Sequence, residues 1–119
     1  MIIYISGPIT GVDNAREPFD VLQADLETMG HIVLNPSNHP RGLTNAQYMR
    51  MCFAEIDTAD LVIFLPHWEL SYGADLEHQY CQYTAKPLVR LKASEFVPLA
   101  THRDQQREML RDKIKEVMK

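Results

Sequence analysis

Residues 61–77 read LVIFLPHWELSYGADLE, and no other stretch limits the fold as tightly. The first five of them are an unbroken apolar run of strand length, and Ser71 and Gly73 then open a helical pattern that continues through Leu76 and Tyr80. Strand, loop and helix start follow in that order. In an open α/β sheet, ligands bind just outside the carboxyl ends of the strands, where helix amino termini offer unpaired N–H groups to anions. Glu77 projects near that edge. From the residues alone its carboxylate has three open roles: a nucleophile, a ligand for sugar hydroxyls, or a plain residue favoured near a helix start by the macrodipole.

The rest of the chain alternates strand and helix patterns around this unit. Residues 2–6 form a β-branched and aromatic run that ends in Gly7-Pro8-Ile9-Thr10-Gly11, turn chemistry that reads either as a tight strand-to-helix turn or as a binding loop in which glycine lets backbone approach a ligand. No Walker or dinucleotide signature is present. Over 14–29, Ala15, Phe19, Leu22, Leu26 and Met29 form one helix face, Pro18 falls in the first turn, and Gly30 supplies the stop. A short strand over 31–34 runs into a polar loop over 35–42, in which His39 reads as a solvated residue.

Thr44 and Gln47 fit a capping box for a second helix whose buried stripe is Tyr48, Met51, Cys52, Ile56 and Ala59. Cys52 either faces the pocket or fills core. Asp57 and Asp60 read as structural. After the third helix, which passes Tyr80 and Tyr83 and stops near Lys86-Pro87, residues 88–91 predict a fourth strand and 95–99 a short fifth edge strand. The last helix, from about His102, is expected to bury Leu110, Ile114, Val117 and Met118 and to show Arg107, Arg111, Lys113 and Lys115 to solvent. The alternation has the spacing of βαβ units, which predicts a parallel sheet with helices on both faces.

Length leaves room for one domain, spanning 1–119. A net charge of −4 argues against a nucleic-acid or anionic-membrane partner, which needs a basic field, but leaves room for a small anionic ligand held by local N–H groups. Cys52 and Cys81 lack close metal-ligand spacing, so no metal and no cofactor is expected. The opening MIIYISG has no basic flank and is too short for a signal or membrane helix, and the expected setting is the reducing cytoplasm.

Two segments taken together, Tyr4-Ile5-Ser6-Gly7-Pro8-Ile9-Thr10-Gly11 and Ser71-x-Gly73-x-x-x-Glu77, resemble the nucleoside 2-deoxyribosyltransferase superfamily. The likeness is greatest to a phage and bacterial branch whose pattern runs YISGPITG, then NP (here Asn35-Pro36), then LPxWExSxGAxxEH (here Leu65 to His78), and it covers roughly the first 90 residues. The resemblance implies a single-domain flavodoxin-like (Rossmann-like) three-layer α/β sandwich with a four- to five-stranded parallel sheet. It also implies a small-molecule nucleotide or nucleoside as partner, and a homodimer or higher homo-oligomer.

In such relatives the glutamate matching Glu77 attacks the anomeric carbon of a deoxyribosyl group and forms a covalent glycosyl ester, chemistry that suits a carboxylate beside an oxocarbenium-like centre. The tyrosine matching Tyr4 holds that carboxylate by a hydrogen bond, so Glu77 and Tyr4 are the implied catalytic pair. Gly7, Pro8, Ile9, Gly11, Cys52, Trp68, Ser71, Gly73 and Ala74 are the implied substrate-binding residues. Trp68 either stacks on the base or packs on the protein's own surface.

Ser71 matches the serine with which the similar 2′-deoxynucleoside 5′-monophosphate N-glycosidases bind the 5′-phosphate; with the Gly73 and Ala74 N–H groups it implies a neutral phosphate cradle. Pro8 and Thr10 replace a serine and an arginine of those enzymes, and Cys52 stands where relatives carry an aspartate. A thiol lacks a carboxylate's charge. The alternative to turnover is therefore a nucleotide-binding protein of the same fold with little or no catalysis.

Overall fold

The computed structural model describes residues 1–119. Four strands, β1 (Ile2–Ser6), β2 (Ile32–Leu34), β3 (Leu61–Phe64) and β4 (Leu88–Arg90), pair in parallel in the order β2-β1-β3-β4. Helices α1 (Arg16–Thr28), α2 (Asn45–Thr58), α3 (Tyr72–Tyr83) and α4 (Arg103–Val117) complete a flavodoxin-like three-layer fold. No helix is long and apolar enough to cross a membrane.

Strand side chains alternate between the two faces. Ile3 and Ile5 of β1, Leu61 and Ile63 of β3, and Val89 of β4 join Leu65 and Leu91 at the strand ends, Phe19, Leu22 and Leu26 of α1, and Leu110 and Ile114 of α4 in one core. Tyr4, Val62 and Phe64 point the other way, into a second core with Cys52 and Ile56 of α2 and Cys81 of α3. Every position of β3 and all of β1 but Ile2 are thus buried, which is why β3 reads as a continuous apolar run. The direction of chain progression across the sheet reverses between β1 and β3, the register being Tyr4 opposite Val62 and Ser6 opposite Phe64.

Local signals act as read. Thr44 accepts from the Gln47 N–H and Gln47 accepts from the Thr44 N–H, closing the capping box. Gly30, at φ +92, ends α1. Asp60 Oδ2 accepts from the Ile2 N–H at 2.8 Å, and Asp57 Oδ1 accepts from the Tyr80 hydroxyl at 2.7 Å, so both aspartates are structural.

Several expectations are corrected. Residues 95–99 are not a strand: Glu95 Oε1 accepts the Lys92 N–H, the Glu95 and Phe96 N–H groups fold back on the Lys92 carbonyl, and Arg103 takes the carbonyls of Val97, Pro98 and Ala100. No ladder partner is left for that segment, and the sheet stays four-stranded. On α2, Met51 is 36% exposed, and Met49 and Phe53 share the inner side with Cys52 and Ile56; Phe53 stacks on Tyr80 with centroids 4.2 Å apart. Val117 and Met118 are exposed because α4 runs on past the core. Arg107 and Lys113 are not solvated; they pair with Asp25 and Glu95. Asp25, 3% exposed on α1, also binds Arg103 at 2.6 Å and so clamps α4 to α1.

Candidate active site

Helix α3 turns a stripe of Ala74, Glu77, His78 and Cys81 towards the sheet, all buried. That spacing is a core stripe, and Glu77 is the residue in it that carries a carboxylate. Only 7% exposed, Glu77 is no solvated first-turn residue. Its Oε1 accepts from the Tyr4 hydroxyl at 2.9 Å, a contact between residues 73 apart in sequence. Tyr4 reaches it because β1 sends Ile3 and Ile5 to the opposite core and Tyr4 to this one.

Two further groups adjoin the carboxylate. Ser6 shares Tyr4's face of β1 by the period-two rule, is 1% exposed, and its Oγ meets no hydrogen-bond partner at ordinary distance. Cys52 comes from α2 and is 6% exposed. Burial pushes the Glu77 carboxyl up to about 7, against the opposing pull of Tyr4, Ser6 and Cys52, which favour the charged form. The Tyr4 hydroxyl is raised well above its ordinary value, first by burial and then by Glu77's charge, and burial with the same charge pushes the Cys52 thiol up to about 12. Both therefore stay protonated near neutrality, with the Tyr4 hydroxyl donating to Glu77 and the Cys52 thiol beside the same carboxylate. A dry carboxylate ringed by neutral donors, half ionised near pH 7, suits attack on an electron-poor carbon or proton exchange.

The structure brings Tyr4, Cys52 and Glu77 together and adds Ser6, which alternation along β1 identifies. The implied substrate-binding residues are spread along the carboxyl edge. Gly7 meets Leu65 rather than open space: a Cβ there would lie 2.9 Å from the Leu65 Cβ, so packing between strand ends requires the glycine. Pro8 is half-buried, while Ile9 and Gly11 are exposed in a turn, with Gly11 at φ +75. Ser71 caps α3, its Oγ accepting from the Ala74 N–H at 3.3 Å, and space is open beside Gly73. Trp68 packs on the protein itself: it stacks on His78 at 4.1 Å and tilts against Phe64. His78 Nε2 accepts from Arg90 Nε at 2.8 Å, and burial together with the Arg90 charge lowers the ring's pKa, so the imidazole is neutral with its proton on Nδ1.

An open groove of about 370 Å³ lies past the ends of β3 and β4, lined by Trp68, His67, Glu69, Arg90 and Lys92 among others. A larger hollow of about 480 Å³ runs between Met29, His31 and α4, at the amino edge and away from Glu77. His39 is not solvated: its Nε2 lies 2.5 Å from Glu55 Oε1, and both residues sit against Cys52. Nothing in the sequence signals that meeting, because the path of the 35–42 loop brings it about.

No curated protein matches the chain. The sequence model of one family, described as a domain of unknown function (DUF4406), matches residues 1–90, a span that holds all four strands, the first three helices and Tyr4, Ser6, Cys52 and Glu77. The chain belongs to that family.

Proposed function

We propose that the protein belongs with the nucleoside 2-deoxyribosyltransferases and cleaves or exchanges the N-glycosidic bond of a deoxynucleoside 5′-monophosphate or deoxynucleoside. In the first step a Glu77 oxygen bonds to C1′ as the C1′–N bond breaks, and the departing base keeps the electron pair and takes a proton from solvent. Water or a second base then bonds to C1′ and gives up a proton to solvent, and Glu77 leaves as a carboxylate. The observation that carries this reading is the buried Tyr4–Glu77 hydrogen bond at 2.9 Å. The bond fixes one carboxylate oxygen and leaves the other for attack. The Ser71 cap at the start of α3 supports a phosphate on the substrate, because a helix amino end favours an anion.

A second reading, nucleotide binding with little turnover, draws on Cys52, whose neutral thiol offers neither charge nor paired acceptors to a sugar. We also propose a homodimer or larger assembly: Leu70, Tyr72 and Tyr83, at and just before the two ends of α3, are more than four-fifths exposed. Incubation with each deoxynucleoside and its 5′-monophosphate, followed by chromatography for free base, decides between the readings. Base release that disappears in Glu77→Ala supports the enzyme. Calorimetric binding without release supports the second reading, and neither binding nor release removes both.

A further inference from the structure

Cys52 and Glu55 stand one turn apart on α2, and the loop before the helix carries His39 against them. The ligand atoms of the three, a thiol sulfur, a carboxylate oxygen and an imidazole nitrogen, all lie within 4.8 Å of one another. His39 Nε2 approaches Glu55 Oε1 to 2.5 Å, yet that oxygen, shielded from solvent, makes no hydrogen bond. The two side chains thus converge on one point, at a distance where a shared cation can sit between them. A cation at that point would satisfy both.

The loop is fixed there by its own contacts. The His39 N–H donates to the Pro36 carbonyl at 3.1 Å, and the Tyr48 hydroxyl of α2 donates to the Pro40 carbonyl at 2.7 Å. The triad is therefore pre-set before any ligand arrives, which lowers the cost of binding.

We propose that His39, Cys52 and Glu55 form a binding site for a divalent zinc-like cation. The donor set selects the metal class. Sulfur, nitrogen and one carboxylate suit zinc or cobalt, whereas magnesium and calcium require all-oxygen shells. Tetrahedral bonds of about 2.0–2.3 Å place ligand atoms roughly 3.3–3.8 Å apart, which small side-chain rotations reach from the present spacing. Three protein ligands leave a fourth position open. The His39 and Glu55 side chains, 12% and 24% exposed, give the ion its way in, while Cys52 closes the inner side next to Tyr4 and Glu77. On binding, the thiol sulfur bonds to the metal and its proton passes to solvent. The site stands on these three residues whether or not Glu77 acts on a glycosidic bond.

The test uses the whole protein, stripped with a chelator, kept reduced, and titrated with Co²⁺ alone. The expected result is one Co²⁺ per chain, a thiolate-to-cobalt charge-transfer band together with the visible bands of a tetrahedral ion, and displacement by Zn²⁺. His39 and Glu55 are partly exposed, so His39→Ala and Glu55→Gln should keep the fold, as checked by circular dichroism. Each should weaken Co²⁺ binding by roughly tenfold or more, as loss of a metal-holding group does. Absence of the thiolate band, its survival in Cys52→Ser, or unchanged affinity in both His39→Ala and Glu55→Gln would overturn the site.

Discussion

Replacing Glu77 by glutamine should make the protein more stable, by an amount that grows with pH. A carboxyl that titrates at about 7 in the folded chain, against an ordinary value of 4.5, holds its proton more tightly folded than unfolded. Between those two pH values the unfolded chain has lost a proton that the folded chain keeps, so stability falls as pH rises through the window and levels off above it. The separation of the two values, at about 1.4 kcal/mol per decade, sets the full cost near 3 kcal/mol. Against a total stability of about 5–15 kcal/mol, that is a large share for one side chain.

Glutamine keeps the shape and removes the charge. Its carbonyl can accept from the Tyr4 hydroxyl as Oε1 now does, and its amide has the unpartnered Ser6 Oγ beside it as an acceptor. Allowing for imperfect amide geometry, Glu77→Gln should gain about 2–3 kcal/mol at pH 8.5 and differ from wild type by under about 0.5 kcal/mol at pH 4. The gain at pH 8.5 corresponds to a rise in Tm of roughly 10 °C. Urea denaturation of chelator-treated, reduced protein at the two pH values measures it, and the difference between variants cancels the titrating groups that Glu77's charge does not reach. A glutamine protein less stable than wild type at pH 8.5, or a difference that stays constant across the range, would refute the burial argument.

Three further expectations rest on other contacts. Activity should require the ionised Glu77, so kcat/KM for base release should rise with pH through about 7 and flatten above it; a profile already flat from pH 5 would mean the nucleophile is another group. Arg103→Leu leaves the nearly buried Asp25 carboxylate with Arg107 at 3.5 Å as its remaining partner and should cost about 2–3 kcal/mol in urea unfolding, whereas a change under about 0.5 kcal/mol would mean that the clamp between α1 and α4 adds nothing. Ser71→Ala removes the α3 cap, should lower stability by about 1 kcal/mol, and should erase most of a preference for monophosphates over nucleosides of about tenfold or less; calorimetry showing that preference intact would take Ser71 out of the phosphate site.

The sequence carried the sheet and its helices because the relevant forces are local or periodic. The capping box at Thr44, the Gly30 stop and the unbroken apolar run of β3 each act within a few residues. What it did not carry depends on partners far along the chain. Residues 95–99 have the composition of an edge strand, but Arg103 claims three carbonyls of the segment that follows Phe96. Asp25 sits among Leu22 and Leu26, and the residues that make it tolerable there lie on α4, 78 and 82 positions later. On α2 the choice between Met51 and the Met49–Phe53 pair is a matter of helix phase that Cys52 and Ile56 leave unsettled, and stacking of Phe53 on Tyr80 decides it.

The candidate site was legible to a different degree, and Glu77 shows why. An acid within the Ala74, His78, Cys81 stripe violates the pattern of a core-facing helix, and the structure turns that violation into an energy. At neutral pH the fold gives up part of about 3 kcal/mol to keep a carboxylate there. No ion pair compensates, since Tyr4, Ser6 and Cys52 are neutral, and an apolar or amide side chain would satisfy the same packing at lower cost. Asp25 provides the contrast within the same molecule, being equally buried but matched by two arginines that join helices. One buried acid holds the fold together and the other works against it, and a destabilising charge with its donors already aimed is what a reactive group requires.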